Sequence, residues 1–256
     1  MTFAERYGPW ALVAGASEGI GAAFATALAQ RGLDVVLVAR RSEPLAALAA
    51  RLPTRTLTVP ADLSTVEGLD QVQAATAGHE VGLVVCNAAY VPMGPFLELD
   101  PAQTGRAVDV NCRAPLLLAH RYLPGMAGRG RGGFIVMSSL AGMQGVASLS
   151  TYAATKAYGA VLAEGLWAEM RPHGVDVLAC LAGAVSTPGY DTAMSRPAPG
   201  TVAPEVVAST ALKALGHGPR AVPGTLMRVS APLMSRLLPR RVAITLMGRS
   251  SQGLTR

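Results

Sequence analysis

The chain has 256 residues, half of them hydrophobic and 15% charged, which is enough apolar material for a sizeable core and excludes an intrinsically disordered chain. The net charge is +6, but the arginines are scattered, with short pairs only at Arg40-Arg41 and Arg240-Arg241 and no interleaved aromatics. That distribution excludes a nucleic-acid surface and is explained by an Arg-favouring codon usage, since Lys156 and Lys213 are the only lysines among 22 basic residues.

Short β-rich runs alternate with longer Ala/Leu-rich runs of helical period. Residues 10–15 (WALVAG) read as a buried strand, followed by a helix from about Ile20 to Arg31. A second strand is expected at 34–39 (DVVLVA), then a helix over 43–52 with Pro44 in its first turn. A third strand (RTLTVP, 55–60), a helix over 65–77 and a fourth strand (VGLVVCN, 81–87) follow. A helix starts after Pro101 and runs to Tyr122, a fifth strand spans 132–139, a long helix 150–171 and a sixth strand 175–183. These strands lack polar alternation and are separated by helices, so the expected fold is α/β: a single Rossmann-type, doubly wound parallel sheet with helices on both faces. No linker or solenoid-period repeat divides residues 1–256, so one domain is expected. The pattern changes after Gly183: 184–219 read as a lid and a following helix, and 220–256 as a Pro-interrupted, Arg-studded apolar tail.

Two location signals are negative. The opening MTFAERYGPW lacks the basic flank and apolar core of a secretion signal, and the long uncharged stretches are broken by Gly, Ser, Gln and Tyr. Cys86, Cys112 and Cys180 lie far apart in apolar runs and read as reduced core residues, with no disulfide framework and no metal site. A cytoplasmic protein is expected.

The first βα turn, VAGASEGIG, places Gly15, Gly19 and Gly21 between a strand and a helix. Glycines there permit a tight turn and let backbone N–H groups and the helix N-terminus approach a pyrophosphate. The same residues also spell the G-x-S-x-G elbow of a hydrolase around Ser17. Only one strand precedes Ser17, however, and His79, His120, His173 and His217 have no catalytic setting. At the end of the second strand, LVARR brings Arg40 and Arg41 to the place where an NAD site holds an acid. Guanidinium groups suit a 2′-phosphate, and two cations at a helix N-terminus oppose its dipole unless an anion joins them. NADP(H) is the expected cofactor.

Together these motifs resemble the short-chain dehydrogenase/reductase family over about Trp10 to Thr187. The turn resembles the family's TGxxxGIG, with Ala14 in the place of Thr and with Gly15, Ser17, Gly19, Ile20 and Gly21 at the cofactor. ADLS places Asp62 and Leu63 at the family's adenine contact. CNAAY resembles NNAG, keeping Asn87 and Ala88 while Cys86 and Ala89 depart from it. VDVNCRAP puts Asn111 at the catalytic Asn. GGFIVMSS puts Ser139 thirteen residues before Tyr152. GAVSTP resembles PGxVxT, with Val185 and Thr187 at the cofactor and Ala182 where Pro is usual. The resemblance implies catalytic roles for Asn111, Ser139, Tyr152 and Lys156, with Tyr152 and Lys156 also touching the cofactor.

The spacing of Tyr152 and Lys156 puts both on one helix face. A free phenol has a pKa of about 10, and a neighbouring ammonium is expected to bring it towards working pH. The opening stretch and VLVARR are similar to a branch holding NADPH-dependent hydroxysteroid dehydrogenases, including 7β-type enzymes. Met143, Val146, Leu149, Val185, Tyr190 and Met194 are the expected pocket walls, fitting a small-molecule carbonyl or alcohol that is bulky and steroid-like. Smaller aliphatic or ketoacyl carbonyls are the alternative substrates. A non-catalytic NADPH-binding relative is the reading from another class, opposed by the presence of all four catalytic residues. The resemblance further implies a homodimer or homotetramer. The tail, with Arg228, Arg236, Arg240, Arg241 and Arg249, is expected to form a lid or subunit contact; Pro232 and Pro239 argue against a continuous helix on a membrane surface.

Overall fold

Strand β1 (Trp10–Ala14) is buried at every position, so both of its faces must be covered. It pairs in parallel with β2 (Asp34–Ala39) on one side, Ala11 opposite Val35, and with β4 (Val81–Cys86) on the other, Ala11 opposite Leu83. With β3 (Thr56–Pro60), β5 (Gly132–Ser139), β6 (Val175–Ala182) and β7 (Arg220–Ala221) it forms a seven-stranded sheet in the order β3-β2-β1-β4-β5-β6-β7. The order reverses between β1 and β4, and a crevice opens there at the carboxyl ends of the strands. The computed structural model describes residues 1–193, 198, 200–228 and 239–251.

Successive side chains on each strand serve opposite cores. Ala11, Val13, Val35, Leu37, Leu83, Val85 and Ile135 pack against Phe24 and Leu28 of α2 (Gly19–Ala29), Leu45 of α3 (Ser42–Ala49) and Val207 of α9 (Pro204–Ala214). Leu12, Val36, Val84 and Phe134 pack on the other face against Val72 of α4 (Val66–Thr76), Leu118 of α6 (Ala114–Arg129) and Ala163 of α7 (Ser150–Met170). Each fully buried Leu or Phe contributes about 1.5–3 kcal/mol of transfer free energy.

The boundaries mostly fall within two residues of the sequence reading; besides the unexpected two-residue β7, there are three differences. The helix expected from Pro101 to Tyr122 is two helices, α5 (Pro101–Val108) and α6, joined by a π-turn over Asp109–Arg113. Helix α6 continues through Pro124 to Arg129 and ends on Gly130 in the left-handed conformation (φ 66°). The loss of one intrahelical bond at Pro124 is outweighed by burial of Leu123 and Met126 on either side. A short helix α1 (Phe3–Tyr7) precedes the sheet, closed by a capping box between Thr2 and Glu5. It is held by Tyr7 and Arg6, both hydrogen-bonded to Asp176 on β6 (2.6 and 2.7 Å).

Part of the expected lid is a helix, α8 (Pro188–Ala193), and the chain around it is pinned to its own start by a parallel bridge between Val185 and Val202. In the tail, α10 spans Arg240–Ser251. Met194, Pro232 and Arg236 lie outside the described residues.

Candidate active site

The crevice is a cleft of about 580 Å³. Of the residues expected at a cofactor, Gly15, Ser17, Gly19, Ile20, Arg40, Arg41, Asp62, Leu63, Asn87, Ala88 and Thr187 line it. Gly21 stands behind the lining: a Cβ there would come within 1.9 Å of the Gly15 carbonyl oxygen. Gly15 itself has φ +83°, and a Cβ on it would press on the Ala88 backbone at 2.7 Å. The loop is thus folded so tightly that only glycine fits, which leaves its backbone open to a ligand. Asn87 secures it by donating from Nδ2 to the Gly15 carbonyl (2.9 Å). The backbone N–H of Ala88 donates to the Ala14 carbonyl (2.7 Å), so this junction is made without the family's threonine side chain.

Charge is concentrated at one end of the cleft. Arg41 pairs with Glu18 across 2.7 Å, and both side chains are exposed. Arg40 has no carboxylate within ion-pair distance among the described residues. Asp62 pairs with Arg106 at 2.6 Å and accepts from the Ser64 N–H and hydroxyl. Burial pushes the Asp62 carboxyl up, but the Ser64 hydrogen bonds and the cations Arg106 and Arg40 outweigh it and hold the group below its ordinary value. Glu18, Tyr90 and Arg106 also line the cleft and were not expected there. Glu18 stood inside the glycine motif and was legible as a charge; Arg106 had no local signal, because its partner is 44 residues away.

The four expected catalytic residues meet around α7, and Tyr152 and Lys156, also expected at the cofactor, are not part of the cleft lining. Ser139 ends β5; its hydroxyl accepts from the Ala141 N–H at 3.2 Å and acts on the Tyr152 phenol to lower its pKa. Lys156 is buried, with Nζ donating to the Met137 carbonyl (2.8 Å) and lying 5.6 Å from the Tyr152 ring centroid. Asn111 sits in the π-turn, where the widened backbone directs its amide to three partners. Its Oδ1 accepts from the Tyr90 N–H (2.8 Å), while Nδ2 donates to the Tyr90 carbonyl (2.8 Å) and to Thr155 Oγ1 (3.0 Å). Thr155 in turn donates to the Tyr152 carbonyl (2.8 Å). Small residues let α7 approach: a Cβ on Gly142 would lie 2.6 Å from the Ala157 nitrogen. Ala182, where the family has Pro, stands in register opposite Ser139 and carries the backbone N–H that proline would lack.

The electrostatics differ from the sequence expectation in one respect. Burial raises the Tyr152 phenol above its ordinary value, with the Ser139 hydrogen bond the opposing influence. The Lys156 ammonium donates to the Met137 carbonyl and is itself lowered by burial to about 8, the neighbouring Cys112 and Cys86 acting in the other direction.

None of the expected pocket walls among the described residues, Met143, Val146, Leu149, Val185 and Tyr190, lines the cleft. Val146 and Leu149 pack with Ala153 and Tyr152 in a small cluster beside the phenol. Val185 does not line the cleft; its side chain joins the main core on the α2 and α9 side. Thr187 Cγ2 lies where a Cβ on Gly19 would meet it at 2.9 Å, so the lid closes directly over the glycine turn. Tyr190 hydroxyl accepts from the Ala198 N–H (3.1 Å). Arg240, at the start of α10, donates to the Met143 carbonyl (3.4 Å), which brings the tail to the turn that follows Ser139.

A doubly wound parallel sheet with a glycine-tightened crevice at its switch point defines a Rossmann-type nucleotide fold. A family model for short chain dehydrogenases matches residues 9–197, and the chain belongs to that family of oxidoreductases, which bind NAD(P). It is 37% identical over 194 residues to a 7β-hydroxysteroid dehydrogenase of Clostridium sardiniense, covering 74% of each chain. A very-long-chain 3-oxoacyl-CoA reductase of Podospora anserina is 32% identical over 182 residues, 67% of this chain and 53% of that protein's length. Among solved structures, one of a 7β-hydroxysteroid dehydrogenase superposes with a TM-score of 0.90 at 28% identity, covering 97% of this chain and all of that one. A short-chain dehydrogenase from Sphingobium yanoikuyae in complex with NADPH gives a TM-score of 0.80 at 30% identity, covering 90% and 93%.

Proposed function

We propose that the protein is an NADP(H)-dependent oxidoreductase that interconverts a bulky hydrophobic ketone and its secondary alcohol. The observation that carries this reading is the convergence of Ser139, Tyr152 and Lys156 around α7, tied through Thr155 and Asn111 to Tyr90 in the lining of a glycine-tightened cleft that also presents Arg40, which has no carboxylate at ion-pair distance among the described residues. The open glycine backbone fits a pyrophosphate, and Arg40 and Arg41 fit a 2′-phosphate. The similarity to the NADPH complex supports the same cofactor.

When bound, the nicotinamide supplies or accepts hydride at the substrate carbon. Tyr152 gives its phenolic proton to the oxygen of the forming alcohol; burial raises the phenol, and the Ser139 hydroxyl and the Lys156 ammonium oppose that influence to ease the transfer. Ser139 donates to the same oxygen and orients it. Lys156 stabilises the phenolate that remains, and Asn111 holds the Tyr90 loop and α7 in register through Thr155. Val146 and Leu149 supply apolar surface beside the reacting oxygen.

The similarity to 7β-hydroxysteroid dehydrogenases supports a steroid-sized substrate, and that to 3-oxoacyl-CoA reductases supports a long acyl ketone as the second reading. Three cysteines without disulfides suit a reducing cytoplasm. Exposed Val108, Leu117, Tyr158 and Val161 on α5, α6 and α7 support a homodimer through these helices. The test is NADPH consumption with a keto-steroid, run beside NADH and beside a 3-oxoacyl-CoA. Turnover with NADPH and the keto-steroid is the expected result. Turnover only with the thioester replaces the substrate class, and turnover only with NADH overturns the cofactor assignment.

A further inference from the structure

We propose that Arg106 is a binding residue for the adenine half of the dinucleotide, held in place by Asp62 and Tyr90, an inference that rests on the cofactor reading above. Arg106 projects from α5 into the cleft lining beside Asp62 and Tyr90. Its Nη2 donates to Asp62 Oδ2 (2.6 Å), and its guanidinium carbon lies 5.5 Å from the Tyr90 ring centroid. Tyr90 is itself fixed, because its backbone N–H and carbonyl are both hydrogen-bonded to the buried Asn111 at 2.8 Å. Asp62 is likewise fixed by Ser64. A guanidinium held on both sides in a half-buried position has already lost the rotamer freedom that binding would otherwise cost.

Charge accounting separates this arginine from its neighbour. The carboxylate of Asp62 balances Arg106, whereas Arg40 has no carboxylate at ion-pair distance among the described residues. A balanced, planar cation with N–H donors beside an aromatic ring suits a flat, neutral, acceptor-rich base, on which guanidinium and aromatic groups stack. Arg40, which acts on Asp62 without an ion pair among the described residues, suits an anion. Arg106 therefore acts on what NADPH and NADH share, and Arg40 on what separates them. The same residues join the cleft to the Tyr152 cluster, since Tyr90 carries Arg106 on its ring and Asn111 on its backbone.

The experiment is fluorescence titration of the full-length protein with NADPH and NADH, with 5′-ADP as competitor and thermal melting in parallel. Arg106→Ala is expected to weaken all three nucleotides by about 5- to 20-fold, equivalent to about 1–2 kcal/mol, while the NADPH to NADH ratio stays within about twofold. Arg106→Lys keeps a charge for Asp62 but loses the planar fork; it is expected to melt with the wild type and still bind all three more weakly. Unchanged binding in a folded Arg106→Lys and Arg106→Ala, or a loss confined to NADPH, overturns the assignment. Wild-type protein that binds neither dinucleotide overturns the cofactor reading itself and this assignment with it.

Discussion

The Arg40 end of the cleft and the Tyr152 cluster joined to it through Asn111 use charge in opposite ways. At the Arg40 end, Arg40, Arg41, Glu18, Asp62 and Arg106 are exposed or half-buried, and the pairs Arg41–Glu18 and Arg106–Asp62 are wet. At the Tyr152 end, Lys156 is the only buried charged residue among the described residues, and its partners are a carbonyl, a ring and two thiols rather than a carboxylate. Water screens the first set, so each of its members has a small effect on stability and acts mainly on recognition. The second set is desolvated, so its members alter chemistry and stability together.

The largest expected effect tests the buried end. Tyr152→Phe removes the proton donor while keeping the ring beside Val146 and Leu149. Steady-state kinetics should show kcat lower by about 10³-fold, with cofactor binding within about twofold of wild type. A variant that retains full turnover breaks the assignment of the acid.

Next comes Lys156→Met. The folded pKa of Lys156, about 8, lies below its ordinary value of 10.5. Between those values the unfolded chain binds the extra proton, so this group makes stability rise with pH across the window. The variant lacks that slope. Melting curves should show it more stable than wild type near pH 7, by an amount on the order of 3 kcal/mol that shrinks towards pH 10.5. A difference independent of pH would show that the ammonium is not desolvated.

At the wet end, Arg40→Ala should lower the preference for NADPH over NADH by about 10- to 30-fold, on the order of one or two charge-assisted hydrogen bonds, with an unchanged melting temperature. The smallest effect is Glu18→Gln. Releasing Arg41 should tighten NADPH about twofold and move stability by less than about 0.5 kcal/mol, because the pair is exposed. A large destabilisation would contradict the contrast between the two ends.

Much of the wet end was legible in the sequence. Gly15, Gly19 and Gly21 are close in the chain and answer a local backbone demand, and Arg40-Arg41 follow a strand whose end must face the crevice. Arg106 was not legible, since nothing near it names Asp62. At the buried end, Tyr152 and Lys156 were legible through helical spacing, and Ser139 through its place at a strand end. Spacing on a helix says nothing of desolvation, which raises the Tyr152 phenol, or of the Met137 carbonyl to which Lys156 donates. Val185 was expected at the ligand and packs in the core, a choice made by α2 and α9 rather than by its neighbours.

By itself the sequence determined the alternation of strands and helices, the glycine turn after β1 and the shared face of Tyr152 and Lys156. Each of these follows from steric and periodic rules that act within a few residues. The tertiary structure alone decided the strand order, the two-residue β7, the π-turn that turns Asn111 towards Tyr90 and Thr155, and the pairing of Arg106 with Asp62. Those contacts join segments far apart in the chain. Their energies depend on burial and on partners that come together only when the sheet closes around its two cores.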